Sequence, residues 1–233
     1  MSTYTQTAPR AVPNIVRHLA WFALVCAVAF FIPYLGVSVL DLQHDLFYLG
    51  YFVLTIGLIG AYIRHERIDV APVFRRSRPW SLGIGALLSV FLVFNVFATE
   101  DATSRPHGLY FVFELLWRGV GYGVVDTLLL TVLPCLVAYK LLRGHVAGLK
   151  GKLRFTALML PLVLVVTATY HLGYPQYRED GLKRPETGNV LISVPTFVTV
   201  NPAGSVVAHV SQHVAAVTHA YESKIFVPPV TKA

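Results

Sequence analysis

LYFVFELLWRGVGYGVVDTLLLTVLPCLVAYKLL, residues 109–142, is a run of 34 residues with almost unbroken apolar character. A helix needs about 20 such residues to cross a bilayer, within a range of roughly 17–25. As a helix this stretch is about 50 Å long, more than one crossing and too little for two with a turn between them. We read it as one long helix, tilted or broken near Gly119, Gly121, Gly123 or Pro134.

Working outward, five further apolar runs have crossing length or come close to it: Leu19–Leu40, Leu46–Ile63, Leu82–Ala98, Phe155–Tyr170 and Ala203–Ala220. The whole chain of 233 residues is 55% hydrophobic and 13% charged, with a mean hydropathy of +0.60. A soluble domain carries about 25% charged residues. The expectation is therefore an all-α polytopic membrane bundle of about six transmembrane helices, the fourth of them long. The run at Leu19–Leu40 exceeds the roughly 7–15 apolar residues of a signal core and is read as a crossing. On this reading 1–18 is a polar cytoplasmic tail, 19–221 the membrane domain and 222–233 a second cytoplasmic tail. Val190–Val200 is apolar but short and interrupted by Pro195, so it is read as a re-entrant or interfacial piece; if it crosses, the C-terminus moves to the other side. Cys26 and Cys135 lie inside apolar runs and suggest no disulfide framework.

The net charge of +7 follows the loops. Arg64, Arg67, Arg75, Arg76 and Arg78 lie between the second and third runs, and Lys140, Arg143, Lys150, Lys152 and Arg154 between the fourth and fifth. Arg10 and Arg17 precede the first run, and Lys224 and Lys232 follow the last. The other loops dilute Arg105, Arg178, Lys183 and Arg184 with Glu100, Asp101, Glu179, Asp180 and Glu186. Basic loops stay cytoplasmic, which places both termini there in a six-crossing protein of the plasma or inner membrane. The basic charge is then accounted for by topology and anionic membrane lipids, and no nucleic-acid partner is expected.

Ionisable groups within a bilayer cost at least about 2.5–3.5 kcal/mol each and mark functional positions. Glu114 and Arg118, four apart, share a helix face, and Asp126 follows two turns after Arg118. The pair can equally be a packing lock. His171 ends the fifth run beside Tyr170 and Tyr174, where it reads either as a polar tip or as a site residue. His209 and His213, four apart on the sixth helix, can hold a metal or position a water. In the six-crossing arrangement Glu114, His171 and His209 reach a similar depth near the outer face, which makes them one candidate site. A carboxylate with two or three histidines can activate water: the carboxylate as base, the imidazoles as oxyanion donors or metal ligands.

The same residues resemble the motifs of the CPBP family of intramembrane proteases, which includes the CAAX prenyl endopeptidases and bacteriocin-processing enzymes. Glu114, Arg118 and Gly119 match the second glutamate, the arginine and the glycine of its first motif; His171 matches the histidine of the second; Gly204, Ser205 and His209 match the last. The likeness covers about 111–217. Phe113 stands in place of the first glutamate, Thr167 in place of a phenylalanine and His213 in place of an asparagine. The resemblance implies a CPBP-like intramembrane protease acting on a membrane-anchored peptide or protein. Glu114 would activate water, oriented by Arg118; His171 and His209 would hold the oxyanion, with His213 assisting. His171, His209 and His213 are also a set that can bind zinc. Two other readings stand beside it: a catalytically inactive relative serving as an interaction or assembly factor, and a small transporter or metal-handling protein with Glu114, Asp126 and the histidines along its path.

Overall fold

A computed structural model describes residues 15–223, 225 and 226. Arg10, Lys224 and Lys232, with most of the two expected tails, lie outside them. The described residues are helical with no strand. Among the described residues five helices are long and apolar enough to cross a membrane: α1 (Ile15–Val39, its last turns in π geometry), α2 (His44–His65), α4 (Arg78–Thr99), α5 (Gly108–Leu141) and α6 (Gly148–Leu172). A short α3 (Ala71–Arg75) precedes α4, and α7 (Pro175–Asp180) follows α6. The chain ends in α8 (Lys183–Ile192), α9 (Val194–Thr199) and α10 (Ala203–His219).

The 34-residue run folds as a single helix, and it is the axis of the bundle. Of its most apolar window 78% is buried, against at most 39% in the other four long helices. Those others turn large apolar side chains outward, among them Val53, Leu87 and Phe94. That pattern suits a bundle solvated by lipid rather than water. The glycines do not break α5. Two π-helical stretches, Leu115–Tyr122 and Leu128–Val132, flank a short α-helical stretch, Gly123–Thr127. Such widened turns recur at functional sites because they re-aim side chains within a continuous helix.

Hydrogen bonds between helix ends fix the order of passage. At the basic end, Arg17 pairs with Glu66, tying the start of α1 to the end of α2. The Asn201 amide nitrogen donates to the carbonyls of Phe74 (2.9 Å) and Arg76 (2.7 Å), and Ser81 Oγ donates to Asn201 O at 2.7 Å. Asn201 therefore sits at the basic end. At the opposite end, Thr103 N donates to His219 O (3.0 Å) and Arg105 to Thr218 O (3.1 Å). Between these ends α8 and α9 run against α6: Asn189 donates to Thr167 Oγ1, and Thr156 Oγ1 to Phe197 O.

The expected order of helices changes at one segment. Val190–Val200 belongs to a broken helix, Lys183–Thr199, that runs from the far end to the basic end. The chain turns at Val200, whose φ of 60° ends α9. α10 then starts at the basic end and runs parallel to α4, with Gly204 against Ser81 and His219 against Phe97, so Tyr221 and Phe226 lie at the end of the bundle away from Ile15. The sequence concealed this because Pro195 splits the apolar signal and the charged Lys183, Arg184 and Glu186 dilute its first turn. A cysteine at Ser223 and one at Ser77 should accordingly be accessible from opposite sides of the membrane. Accessibility of both from one side of intact cells would refute this order of helices.

Candidate functional site

α10 is held against α5 by small residues. A side chain at Gly119 would meet Val214, and one at Gly123 would meet Val210. Two glycines four apart thus form a groove that accepts two valines four apart, the close packing that small residues allow between membrane helices. The adjacent positions on α10 are His209 and His213, and this docking presents both to Tyr122 and Asp126 of α5.

The resulting cluster lies deep in the bundle. Asp126, His209 and His213 are all buried, and one donor atom from each lies within 4.8 Å of the other two. His209 Nε2 is 3.4 Å from Asp126 Oδ2. The outer residues hold both groups. Tyr51 donates to Asp126 Oδ1 at 2.8 Å, and Thr127 Oγ1 lies 3.1 Å from His209 Nδ1 while donating to Gly123 O at 2.6 Å. The His213 ring lies 4.8 Å from that of His209 and 4.8 Å from that of Tyr122, and neither of its ring nitrogens has a hydrogen-bond partner. A buried imidazole with two unmet nitrogens is costly unless something else occupies them.

A cavity of about 660 Å³ opens on this cluster, lined in part by Asp126, His171, Asn189, His209 and His213 and reaching Asp180, Lys183 and Arg184 at the far end. His171 Nδ1 donates to Thr167 O at 2.8 Å. A carbonyl can only accept, so in the neutral ring Nε2 carries the lone pair. His171 is thereby suited to take a proton, or to ligate, rather than to donate to an oxyanion.

Glu114 and Arg118 do not join this cluster. Glu114 is twelve residues before Asp126, on the other side of the π-helical stretch Leu115–Tyr122. Its Oε2 is 3.5 Å from Arg118 Nη1, and Arg118 donates to Tyr221 O at 3.2 Å. The arginine is sandwiched between the rings of Tyr221 (4.2 Å) and Phe226 (4.1 Å). The single site expected from sequence therefore divides in two. The difference comes from the direction of α10: it starts at the basic end, so His209, near its start, lies away from the end of the bundle where α5 begins and Glu114 sits. The set of donors within mutual reach also differs from the expected one, with Asp126 in the place given to His171. Tyr51 and Thr127 carried no sequence signal, but Asp126 is an acidic residue in the middle of the longest apolar run, and its depth alone marked it.

Compared with models of known protein families, with curated proteins and with solved structures, the chain matches none of them.

Proposed function

We propose that this chain is a multi-pass membrane hydrolase that cleaves a peptide bond of a membrane-anchored substrate at the Asp126–His209–His213 centre. The observation that carries the proposal is the cavity, which brings a buried carboxylate and three imidazoles to one polar space inside an apolar bundle. In this reading water is held at the Asp126–His209 pair and loses its proton to His171 Nε2. The water oxygen attacks the substrate carbonyl carbon, the C–N bond breaks, and the departing nitrogen takes the proton back from His171. The reading keeps the protease activity that the CPBP resemblance implies but moves the chemistry from Glu114 to Asp126 and His171. The basic end is cytoplasmic by the positive-inside rule, in the plasma or inner membrane, so the cavity opens to the outer face.

A channel or transporter reading is less well supported. Below the cavity, toward the basic end, the buried hydroxyls pair with one another: Thr131 with Ser193 at 3.0 Å and Thr196 with Ser205 at 2.7 Å. Satisfied pairs of this kind act as glue between membrane helices and leave no chain of open partners for an ion.

His171→Gln tests the proposal. It keeps the size of the side chain and removes the proton acceptor, so cleavage should fall by about 100-fold or more. The readout is profiling of new protein termini in membranes of a deletion strain complemented with each variant. If no terminus depends on the wild-type chain, or His171→Gln restores all that do, this reading is wrong.

A further inference from the structure

We infer that Asp126, His209 and His213 bind one divalent first-row transition ion of the zinc class, with Thr127 and Tyr51 orienting two of the three ligands. The inference deepens the hydrolase reading, since the ion would occupy the same centre.

The argument starts from one hydroxyl proton. Thr127 Oγ1 has a single hydrogen, and it goes to Gly123 O at 2.6 Å. Oγ1 can then only accept from His209 Nδ1, 3.1 Å away. The neutral His209 ring therefore carries its proton on Nδ1 and turns a bare lone pair on Nε2 toward Asp126 Oδ2. A lone pair facing a carboxylate oxygen is repulsive unless something positive lies between them. A shared proton would draw the atoms to about 2.7–2.9 Å, the length of a charge-assisted bond. They stand 3.4 Å apart instead. Two donors at about 2.0–2.1 Å from a tetrahedral ion are separated by about 3.3–3.4 Å.

The third donor is independent of that pair. His213 is buried, and neither ring nitrogen has a partner. A donor atom of it falls within 4.8 Å of the other two, so a ring shift of at most about 1.4 Å would complete a three-ligand set. The surroundings match those of metal sites, where the distal imidazole nitrogen and the free carboxylate oxygen are each hydrogen-bonded. Thr127 serves the first purpose and Tyr51 the second. Two histidines and a carboxylate leave one position open toward the cavity. An ion there lowers the pKa of bound water to about 7, which lightens the demand on His171 as base.

The test uses the full chain in detergent micelles, stripped with chelator and titrated with Co(II). The wild type should take up one cobalt per chain and show the intense visible bands of a four-coordinate site. His209→Ala and His213→Gln should weaken binding by more than about 100-fold, and Thr127→Val by about 10-fold, the range for a lost outer-shell hydrogen bond. Glu114→Gln and His171→Ala should bind as the wild type does. Metal-free thermal melts report folding; if His209→Ala is unfolded, His213→Gln and Thr127→Val decide. The proposal is overturned if the wild type binds no cobalt, or if His213→Gln and Thr127→Val bind as tightly as the wild type. The two ideas separate cleanly. Cleavage that depends on Asp126 without cobalt binding removes the ion and keeps the hydrolase, whereas cobalt binding with cleavage indifferent to Asp126 removes the hydrolase and keeps the ion.

Discussion

Asp126→Asn should reduce cleavage by about 10²–10³-fold, the range for loss of one group that holds and polarises the reacting centre, while leaving the chain folded. Asn keeps the shape of the side chain and still accepts the Tyr51 hydrogen bond at the oxygen corresponding to Oδ1. At the other position an amide nitrogen replaces the carboxylate oxygen that faces His209 Nε2 at 3.4 Å. The amide can donate to that lone pair, so local packing improves rather than suffers. What is lost is the negative charge that holds and polarises water beside His209. The measurement is the yield of the same membrane-protein termini, normalised to the abundance of each variant. Glu114→Gln is the essential comparison. A water-activating role for Glu114, as the CPBP motif implies, requires that variant to fail and Asp126→Asn to pass. The twelve positions that separate the two carboxylates along α5 predict the reverse. An active Asp126→Asn chain would remove the centre proposed here.

Much of this was legible in the sequence, and the reason differs from element to element. Residues 109–142 could be read as one helix because a bilayer sets a length scale that 34 apolar residues exceed once but not twice. His209 and His213 could be placed on one face because helical periodicity is local. The order of passage was not legible. Lys183–Thr199 carries three charges in its first turn and a proline near its middle, so its hydropathy is that of a loop. Its partners are what make it a helix end to end: Asn189 donates to Thr167 and to Leu130 O, and Ser193 meets Thr131. Pairings between helices that lie 22 to 62 positions apart leave no periodic trace in one chain. That unread helix sets the direction of α10, which carries His209 away from Glu114 and brings it beside Asp126.

Arg118→Ala should destabilise the chain by roughly 3–5 kcal/mol, the cost of leaving a buried charge without its partner. Both Arg118 and Glu114 are buried, at 0% and 1% exposure, so water cannot replace either one. The pair itself is not tight. The contact is 3.5 Å, and Glu114 Oε1 and Arg118 Nε lack hydrogen-bond partners. The arginine contributes more than the ion pair, because its guanidinium stacks on Tyr221 and Phe226 and holds the Tyr221 carbonyl. Stacking of a desolvated cation on an aromatic ring contributes up to about 2 kcal/mol. Removing it releases Tyr221 and Phe226 from α5, and Phe226 is also the ring that packs on His213 at 5.5 Å. Arg118→Ala should therefore lower the thermal midpoint in detergent, expose the C-terminal segment to protease and loosen the centre below it. Glu114→Gln should do much less, since a neutral amide beside the arginine leaves only a cation that keeps its aromatic partners. The double change Glu114→Gln with Arg118→Met is the sharper measurement. With no buried charge left and the apolar volume retained, it should recover most of the stability lost in Arg118→Ala. If the double variant is as unstable as Arg118→Ala, the charge is not the cause, and the aromatic clamp of Tyr221 and Phe226 alone sets the cost.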